Sequence, residues 1–242
     1  MKMSDQKIKN SLCLALDGFT TEESVLERVK ELQGQIGLFK VGLELYCRFG
    51  LKIVEKIQAL GGKVFLDLKL HDIPKTVEET SKVLSKLGVE IFNVHASGGE
   101  TMMKAALEGS QGKSKVIGVT VLTSWDETRF KNELGHAEKI ADYVLRLAKL
   151  TKSSGLHGVV CSSHELNLLR KNFPSDFILL TPGISGMTTP AGTDQSRVLS
   201  PLEAYKQGST YMVLGRAINN LPTPELRKKE MDLIYKELRN VL

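Results

Sequence analysis

The feature that most constrains the fold of this chain is a series of eight short apolar segments spread along its whole length. Each is rich in Val, Ile, Leu or Phe and is followed by a polar residue or glycine and then an amphipathic stretch. The segments cover residues 12–16, 37–41, 63–68, 90–94, 116–122, 158–161, 177–181 and 211–214. Each is apolar continuously rather than alternately, which is typical of strands covered on both faces. We therefore predict eight buried strands.

The stretches between these strands carry the periodicity of amphipathic helices. Val25, Val29 and Leu32, for example, recur at spacings of four and three residues. Eight strand–helix units in 242 residues match a (β/α)8 TIM barrel, which typically needs about 250 residues. An open doubly wound sheet is the alternative, but no GxGxxG follows the first strand. With no break in composition, we predict one α/β barrel domain over residues 1–242.

Local signals predict where several helices begin and end. Ser162 with Glu165, and Ser200 with Glu203, have the spacing of a capping box. Four glycines lie between a helical stretch and the next strand, where a left-handed cap is expected. They are Gly62, Gly88, Gly155 and Gly208.

Composition excludes several classes of protein. The longest apolar runs are far shorter than the roughly 20 residues that span a bilayer. Three cysteines without a CxxC pair favour a reducing cytoplasm, and the histidines show no zinc-binding spacing. The 33 Lys and Arg against 28 Asp and Glu give a net charge of +5, but the basic residues are interspersed with acids. This favours a solvated basic surface over a nucleic-acid partner, and it also suits a small anionic ligand.

In a barrel of this kind, the active site lies at the carboxyl ends of the strands. The polar or conformationally special residues at the predicted strand ends therefore form a candidate site. They are Asp17, Lys40, Asp67, Lys69, Asp72, His95, Thr123, Pro182, Gly183, Gly215 and Arg216. Their convergence on one pocket mouth is the strongest functional signal in the residue pattern.

The densest group of these residues follows the third strand. Asp67 and Lys69 lie two positions apart, so a strand places both on one face, and Asp72 follows five residues after Asp67. A simple surface ion pair is the alternative. A lysine held by carboxylates is better suited to donating a proton than to forming a Schiff base, which requires a neutral amine.

The last two strand ends predict a phosphate site. Gly215 and Arg216 offer backbone N–H groups and a guanidinium, and barrels often bind phosphate after strands seven and eight. Residues 183–197 contain almost no large apolar side chain and show no periodicity. We expect them to form a lid with Gln195 and Arg197 as contacts, although a merely flexible loop would have the same composition.

The chain resembles the orotidine 5′-phosphate decarboxylase family in its bacterial form. The specific motif is Asp67-Leu68-Lys69-Leu70-His71-Asp72-Ile73-Pro74, the family's DxKxxDIP signature. Residues 39–42, 121–124, 181–184 and 194–195 support it, and the resemblance runs from residue 14 to residue 216.

This resemblance implies a lyase that converts orotidine 5′-phosphate to UMP and carbon dioxide without a cofactor or metal, in the last step of UMP synthesis. Lys40, Asp67, Lys69 and Asp72 would form a catalytic charge array, with Lys69 as proton donor to C6. Asp17 and Lys40 would bind the ribose, Thr123 the pyrimidine region, and Gln195, Gly215 and Arg216 the phosphate. Asp67 would lie against the substrate carboxylate, and Pro182 would also contact the substrate. Asp72, Ile73 and Thr76 would reach the site of the partner subunit in a homodimer.

One position departs from the family pattern. Many bacterial members have Arg directly after the Pro-Gly-Ile of strand seven, where this chain has Ser185. We expect weaker phosphate-side binding, or a substitute such as Arg197, rather than lost chemistry.

Two other functions are compatible with part of this pattern. The first is a magnesium-dependent keto-sugar phosphate decarboxylase or aldolase-like synthase, in which the same carboxylates would hold a metal. The second is a non-catalytic nucleotide- or RNA-binding barrel that uses the positive charge. Ile73-Pro74 and Asp194-Gln195 favour the pyrimidine enzyme.

Overall fold

A computed structural model describes residues 3–188 and 198–241. Eight parallel strands follow one another around a closed barrel, because β1 pairs with both β2 and β8. The strands are β1 (Leu12–Ala15), β2 (Leu38–Gly42), β3 (Val64–Leu70), β4 (Ile91–His95), β5 (Lys115–Val119), β6 (Gly158–Val160), β7 (Ile178–Ile184) and β8 (Tyr211–Leu214). The predicted (β/α)8 architecture and all eight predicted strands are confirmed.

Helices connect the strands, since parallel neighbours require a crossover connection. Within the described residues α1 (Asp5–Ser11) precedes the first strand, and α11 (Arg216–Asn219) and α12 (Pro224–Arg239) follow the last. The helices between strands are α2 (Glu22–Leu32), α3 (Leu43–Phe49), α4 (Lys52–Ala59), α5 (Pro74–Lys86), α6 (Gly99–Ser110), α7 (Glu127–Leu134), α8 (Ile140–Ser153), α9 (Leu166–Asn172) and α10 (Pro201–Lys206). Ser200 and Glu203 form the capping box predicted at the start of α10.

Two apolar cores hold the barrel together. The larger one joins strand residues to helix residues and fills the layer between the barrel and its helices. The smaller one has only strand residues as its buried members, such as Cys13 and Ala15, or Ile178 and Leu180, which alternate along their strands. Because alternate side chains share a face, this second cluster fills the barrel interior.

Several local predictions differ from the structure. The fifth strand ends at Val119 rather than residue 122, whereas β3 and β7 run longer and shift register near their carboxyl ends. Gly88, Gly155 and Gly208 adopt the expected positive φ, but the prediction for Gly62 is wrong, because Gly61 has the φ of 83°. At Gly62 a Cβ would lie 2.8 Å from Ile57, so close packing is what requires glycine there.

The expected capping box at Ser162 does not form. The Ser162 hydroxyl accepts a hydrogen bond from His164 N at 3.1 Å, and so caps a single 3-10 turn ahead of α9.

Cys13 and Cys161 are buried and Cys47 is exposed, all as free thiols. None of the helices in the described ranges is long and apolar enough to cross a membrane.

Candidate active site

The carboxyl ends of β2, β3 and β4 bring polar side chains onto the inner wall of the barrel. Leu38, Phe65 and Ile91 belong to the interior core. Because strand side chains alternate, the residue two positions later on each strand faces the same way, one layer nearer the mouth. Those residues are Lys40, Asp67 and Asn93.

Lys40 forms ion pairs with two carboxylates, those of Asp17 and Asp67. Its ammonium lies 2.9 Å from Asp17 Oδ2 and 3.6 Å from Asp67 Oδ2. The side chains of Lys40 and Asp67 are only 13% exposed, whereas that of Asp17 is 50% exposed. Lys40 thus joins a carboxylate at the rim of the barrel to one inside it.

Asp67 also binds Lys69 and Asn93. Lys69 Nζ and Asn93 Nδ2 each donate to Asp67 Oδ1 at 2.7 Å. Lys69 has a φ of 53°, in the left-handed region, and its backbone N–H donates to Asn93 Oδ1 at 2.8 Å. The structure therefore assembles the row Lys40–Asp67–Lys69 within one chain, and we call it the charge row.

Asn93 is the residue of this group that the sequence analysis missed. It is fully buried, and both ends of its amide are used. The signal that could have found it is its place inside the fourth apolar segment, two residues after Ile91 and therefore in phase with the barrel interior.

The charges of the row are maintained by their mutual contacts. Burial alone would lower the pKa of Lys40, but Asp17 and Asp67 outweigh it and raise that pKa above its ordinary 10.5. Burial alone would raise the pKa of Asp67, yet the charges of Lys40 and Lys69 and the hydrogen bonds from Lys69 and Asn93 bring it below 3.8. Lys40 and Asp67 are both ionised at neutral pH.

Asp72, Ile73 and Thr76 are exposed and stand apart from the row. Asp72 Oδ1 accepts from Ile73 N at 2.7 Å, and within the described chain Asp72 makes no ion pair with Lys40 or Lys69. Ile73 is 67% exposed, a large apolar surface for a residue beside a charged site. The expected four-residue array is therefore three residues in a single chain.

A cleft of about 100 Å³ lies beside the row and joins the ends of β1, β2, β7 and β8. The sequence-predicted residues that line it are Asp17, Lys40, Pro182, Gly183, Gly215 and Arg216. Gly183 has a φ of 78°, and β7 shifts register between Thr181 and Ile184, which carries Pro182 and Gly183 out of the regular ladder. The ribose-side and phosphate-side candidates thus share one cleft.

The connection after β7 is fixed at its two described ends. Ser185 N and Oγ both donate to Leu199 O, at 3.0 and 3.2 Å. Glu230 on α12, only 2% exposed, accepts hydrogen bonds from Met187 N, Thr188 N and the Thr188 hydroxyl. Gln195 and Arg197, two expected contacts of this segment, lie outside the described residues.

Two further candidates lie at the ends of β4 and β5. Thr123 is exposed in the segment that follows β5. His95 ends β4, and its ring centroid is 5.3 Å from that of His71. Across residues 3–188 and 198–241, no three His, Cys, Asp or Glu side chains cluster as metal ligands would.

Comparison with known proteins gives a consistent result. Residues 10–230 match the model of the Orotidine 5′-phosphate decarboxylase / HUMPS family. A protein of Syntrophus aciditrophicus named orotidine 5′-phosphate decarboxylase is 41% identical over 230 residues, covering 92% of this chain and 91% of that protein. One of the same name from Streptococcus pneumoniae is 45% identical over 212 residues, covering 87% of this chain and 90% of its own.

Solved structures agree at the level of the fold and the sequence. The crystal structure of orotidine 5′-phosphate decarboxylase from Lactobacillus acidophilus superposes with a TM-score of 0.81 at 35% identity. The match covers 96% of this chain and all of that one.

Proposed function

The chain belongs to the orotidine 5′-phosphate decarboxylase / HUMPS family, and we propose that it converts orotidine 5′-phosphate to UMP and carbon dioxide in pyrimidine biosynthesis. The observation that carries this proposal is the charge row, in which Lys69 and Lys40 flank the buried carboxylate of Asp67. The family also includes HUMPS members, but the relatives at 41% and 45% identity carry the decarboxylase name.

The chemistry needs a positive group beside one carbon of the pyrimidine. When the bond from C6 to the carboxylate breaks, carbon dioxide leaves and the electron pair stays on C6. In our proposal Lys69 stabilises that developing charge and then gives its proton to C6, and solvent returns a proton to the amine. The 2.7 Å contact with Asp67 supports this role, because it holds the ammonium at a defined point of the barrel mouth.

Asp67 contributes through its fixed negative charge. A substrate carboxylate placed near it is disfavoured, and the departure of carbon dioxide removes that repulsion. The lowered pKa of Asp67 supports this role, because the carboxyl stays ionised while substrate binds. No cofactor takes part in the proposed reaction.

The rest of the substrate would lie along the cleft. We assign the ribose hydroxyls to Asp17 and Lys40, whose ion pair ends at the cleft. Thr123 would lie near the pyrimidine, Pro182 would contact the substrate from its place in the cleft lining, and Gly215 with Arg216 would bind the phosphate. Gln195, which lies outside the described residues, would also bind the phosphate.

A homodimer with shared sites would complete the array. Asp72, Ile73 and Thr76 are exposed in one chain, and the motif that contains Asp72 continues directly into the 67% exposed Ile73. Burial of this apolar side chain against a second copy would stabilise a dimer. Three free cysteines support the reducing cytoplasm as the place of action.

The proposal is tested by following the loss of orotidine 5′-phosphate by ultraviolet absorbance in the presence of EDTA. We expect rapid turnover that the chelator leaves unchanged. Absence of turnover, together with activity on a keto-sugar phosphate only when magnesium is added, would instead assign the chain to the magnesium-dependent chemistry.

A further inference from the structure

We propose that Asn219 is a positioning residue for phosphate recognition, a role that rests on the function proposed above. Asn219 is the last residue of α11, a four-residue helix that begins at Arg216. Its side chain donates from Nδ2 to Ala15 O at 2.7 Å and accepts at Oδ1 from Arg28 Nη1 at 2.6 Å. One amide therefore joins the turn after β8 to both β1 and α2.

The bond to Ala15 lies where the barrel ladder ends. The β1–β8 register runs from Leu12 paired with Met212 to Leu14 paired with Leu214. Ala15 O is one residue beyond the last pair, and the Asn219 side chain supplies its hydrogen-bond donor. Asn219 thus extends the β1–β8 pairing by one bond at the mouth of the barrel.

The same residue is bonded directly to the phosphate-side turn. Asn219 N donates to Gly215 O at 2.9 Å. A shift of Asn219 therefore moves Gly215, and with it Arg216, the next residue of the chain. Asp17, the ion-pair partner of Lys40, follows Ala15 by two residues. Asn219 consequently sets the distance between the phosphate side and the ribose side of the cleft.

Arg28, which donates to Asn219, belongs to an ionic network with Glu31 and Arg227. Arg28 and Arg227 are 8% and 7% exposed, and Glu31 lies between them, 3.4 Å from Arg28 Nε and 2.7 Å from Arg227 Nε. Arg227 also donates to Leu221 O at 2.6 Å, in the segment after α11. Side chains fixed in this way are suited to orienting a binding group, because loosely held groups lose part of their binding energy to ordering.

The test compares two substrates that differ only in the phosphate. We would measure kcat/KM for orotidine 5′-phosphate and for the nucleoside orotidine, with wild type and Asn219→Ala. The matched control is Asn220→Ala, the same change at the exposed neighbouring position. Should Asn219→Ala fail to fold, Asn219→Asp keeps the acceptor for Arg28 and replaces the donor to Ala15 by a carboxylate oxygen.

We expect the Asn219 variants to lower kcat/KM for orotidine 5′-phosphate about tenfold or more and to change that for orotidine less than about twofold. Asn220→Ala should leave both values unchanged. Equal losses on the two substrates, or no loss on either, would overturn the proposal. If wild type itself fails to decarboxylate orotidine 5′-phosphate, the proposed function is overturned instead, so the two failures are distinct.

Discussion

At the residue scale, the position of Lys69 depends on a neighbour that carries no charge. Lys69 has a left-handed backbone, which costs a residue with a Cβ free energy unless the surroundings compensate. Asn93 compensates by accepting the Lys69 N–H, and it also donates to Asp67. The lysine and the carboxylate are therefore held together by one buried amide.

Asn93→Ala should impair the reaction more than it impairs ligand binding. The change removes both hydrogen bonds, leaves Lys69 N without its acceptor and is expected to cost about 1–3 kcal/mol of unfolding free energy. We predict a lower kcat for orotidine 5′-phosphate with UMP affinity reduced much less, measured by steady-state kinetics and calorimetry. Asn172→Ala, on the exposed end of α9, is the control. An unchanged kcat in a folded Asn93→Ala protein would contradict the assignment.

His95 should make stability depend on pH below neutrality. Burial lowers its pKa below the ordinary 6.5, and the charges of His71 and Lys69 lower it further. Between the two pKa values the unfolded chain binds more protons than the folded one, so the free energy of unfolding decreases as pH falls from 6.5.

The measurement for His95 is urea unfolding at a series of pH values. We expect His95→Gln to flatten the decline below pH 6.5, because the substituted side chain does not titrate. His164→Gln, at an exposed position, should retain the wild-type slope. The same slope in His95→Gln as in wild type would refute this account.

Some of these residue-scale features could be predicted from sequence and others could not. Lys40 and Asp67 follow from strand alternation and from the active-site end of a barrel. The backbone turn at Lys69 could not be predicted, because it depends on a hydrogen bond from a different strand. Gly61 and Gly62 show the same limit, since packing against Ile57 decides which of two adjacent glycines takes the positive φ.

At the element scale, α12 anchors the connection that follows β7. Glu230 is buried in this helix and accepts three hydrogen bonds from Met187 and Thr188. A buried carboxylate is costly unless it is hydrogen-bonded, and here two backbone N–H groups and the Thr188 hydroxyl supply the donors. The start of the connection is therefore fixed by a helix from the end of the chain.

Two substitutions of Glu230 should show whether its hydrogen bonds or its charge contribute more to the free energy of unfolding. Glu230→Ala removes every acceptor and should lower the free energy of unfolding by about 1–3 kcal/mol, whereas Glu230→Gln keeps an acceptor oxygen and should cost less than about 1 kcal/mol. Urea unfolding measures both, with the partly exposed Glu237→Ala on the same helix as control. Equal costs for the Ala and Gln variants would show that the carboxylate acts in some other way.

The elements themselves were largely predictable, and their ends were less so. Continuous apolar runs indicate strands covered on both sides, and all eight strands lie where these runs predict them. The extension of β3 and β7 could not be predicted, because both strands shift register where they meet a neighbour. A register shift depends on how two strands pair, so neither strand's own sequence predicts it.

At the scale of the whole molecule, the charge row is complete in one chain but Asp72 is not part of it. Periodicity predicted the alternation of strands and helices, whereas closure depends on the pairing of β1 with β8 across the full length of the chain. Contacts between two copies are harder still to predict from one sequence, because they join surfaces of separate chains. The shared-site dimer remains a prediction.

Mixing two inactive variants tests the shared site. Asp72→Ala and Lys69→Ala each remove one group from every site, but a hybrid dimer regains one intact site. Random exchange should restore about a quarter of wild-type activity, since half of the dimers are hybrids with one working site each. The control is Lys69→Ala refolded alone, and failure to gain activity in demonstrated hybrids would argue against shared sites.

The most direct test of the whole account is the turnover of orotidine 5′-phosphate by Lys69→Ala, followed by ultraviolet absorbance, with UMP binding measured on the same protein. Lys104→Ala, an exposed lysine of α6, is the matched control. We predict that Lys69→Ala loses at least about a hundredfold in kcat while UMP affinity is largely kept, because the proton donor is gone and the binding groups remain. Turnover within about tenfold of wild type would contradict Lys69 as the proton donor.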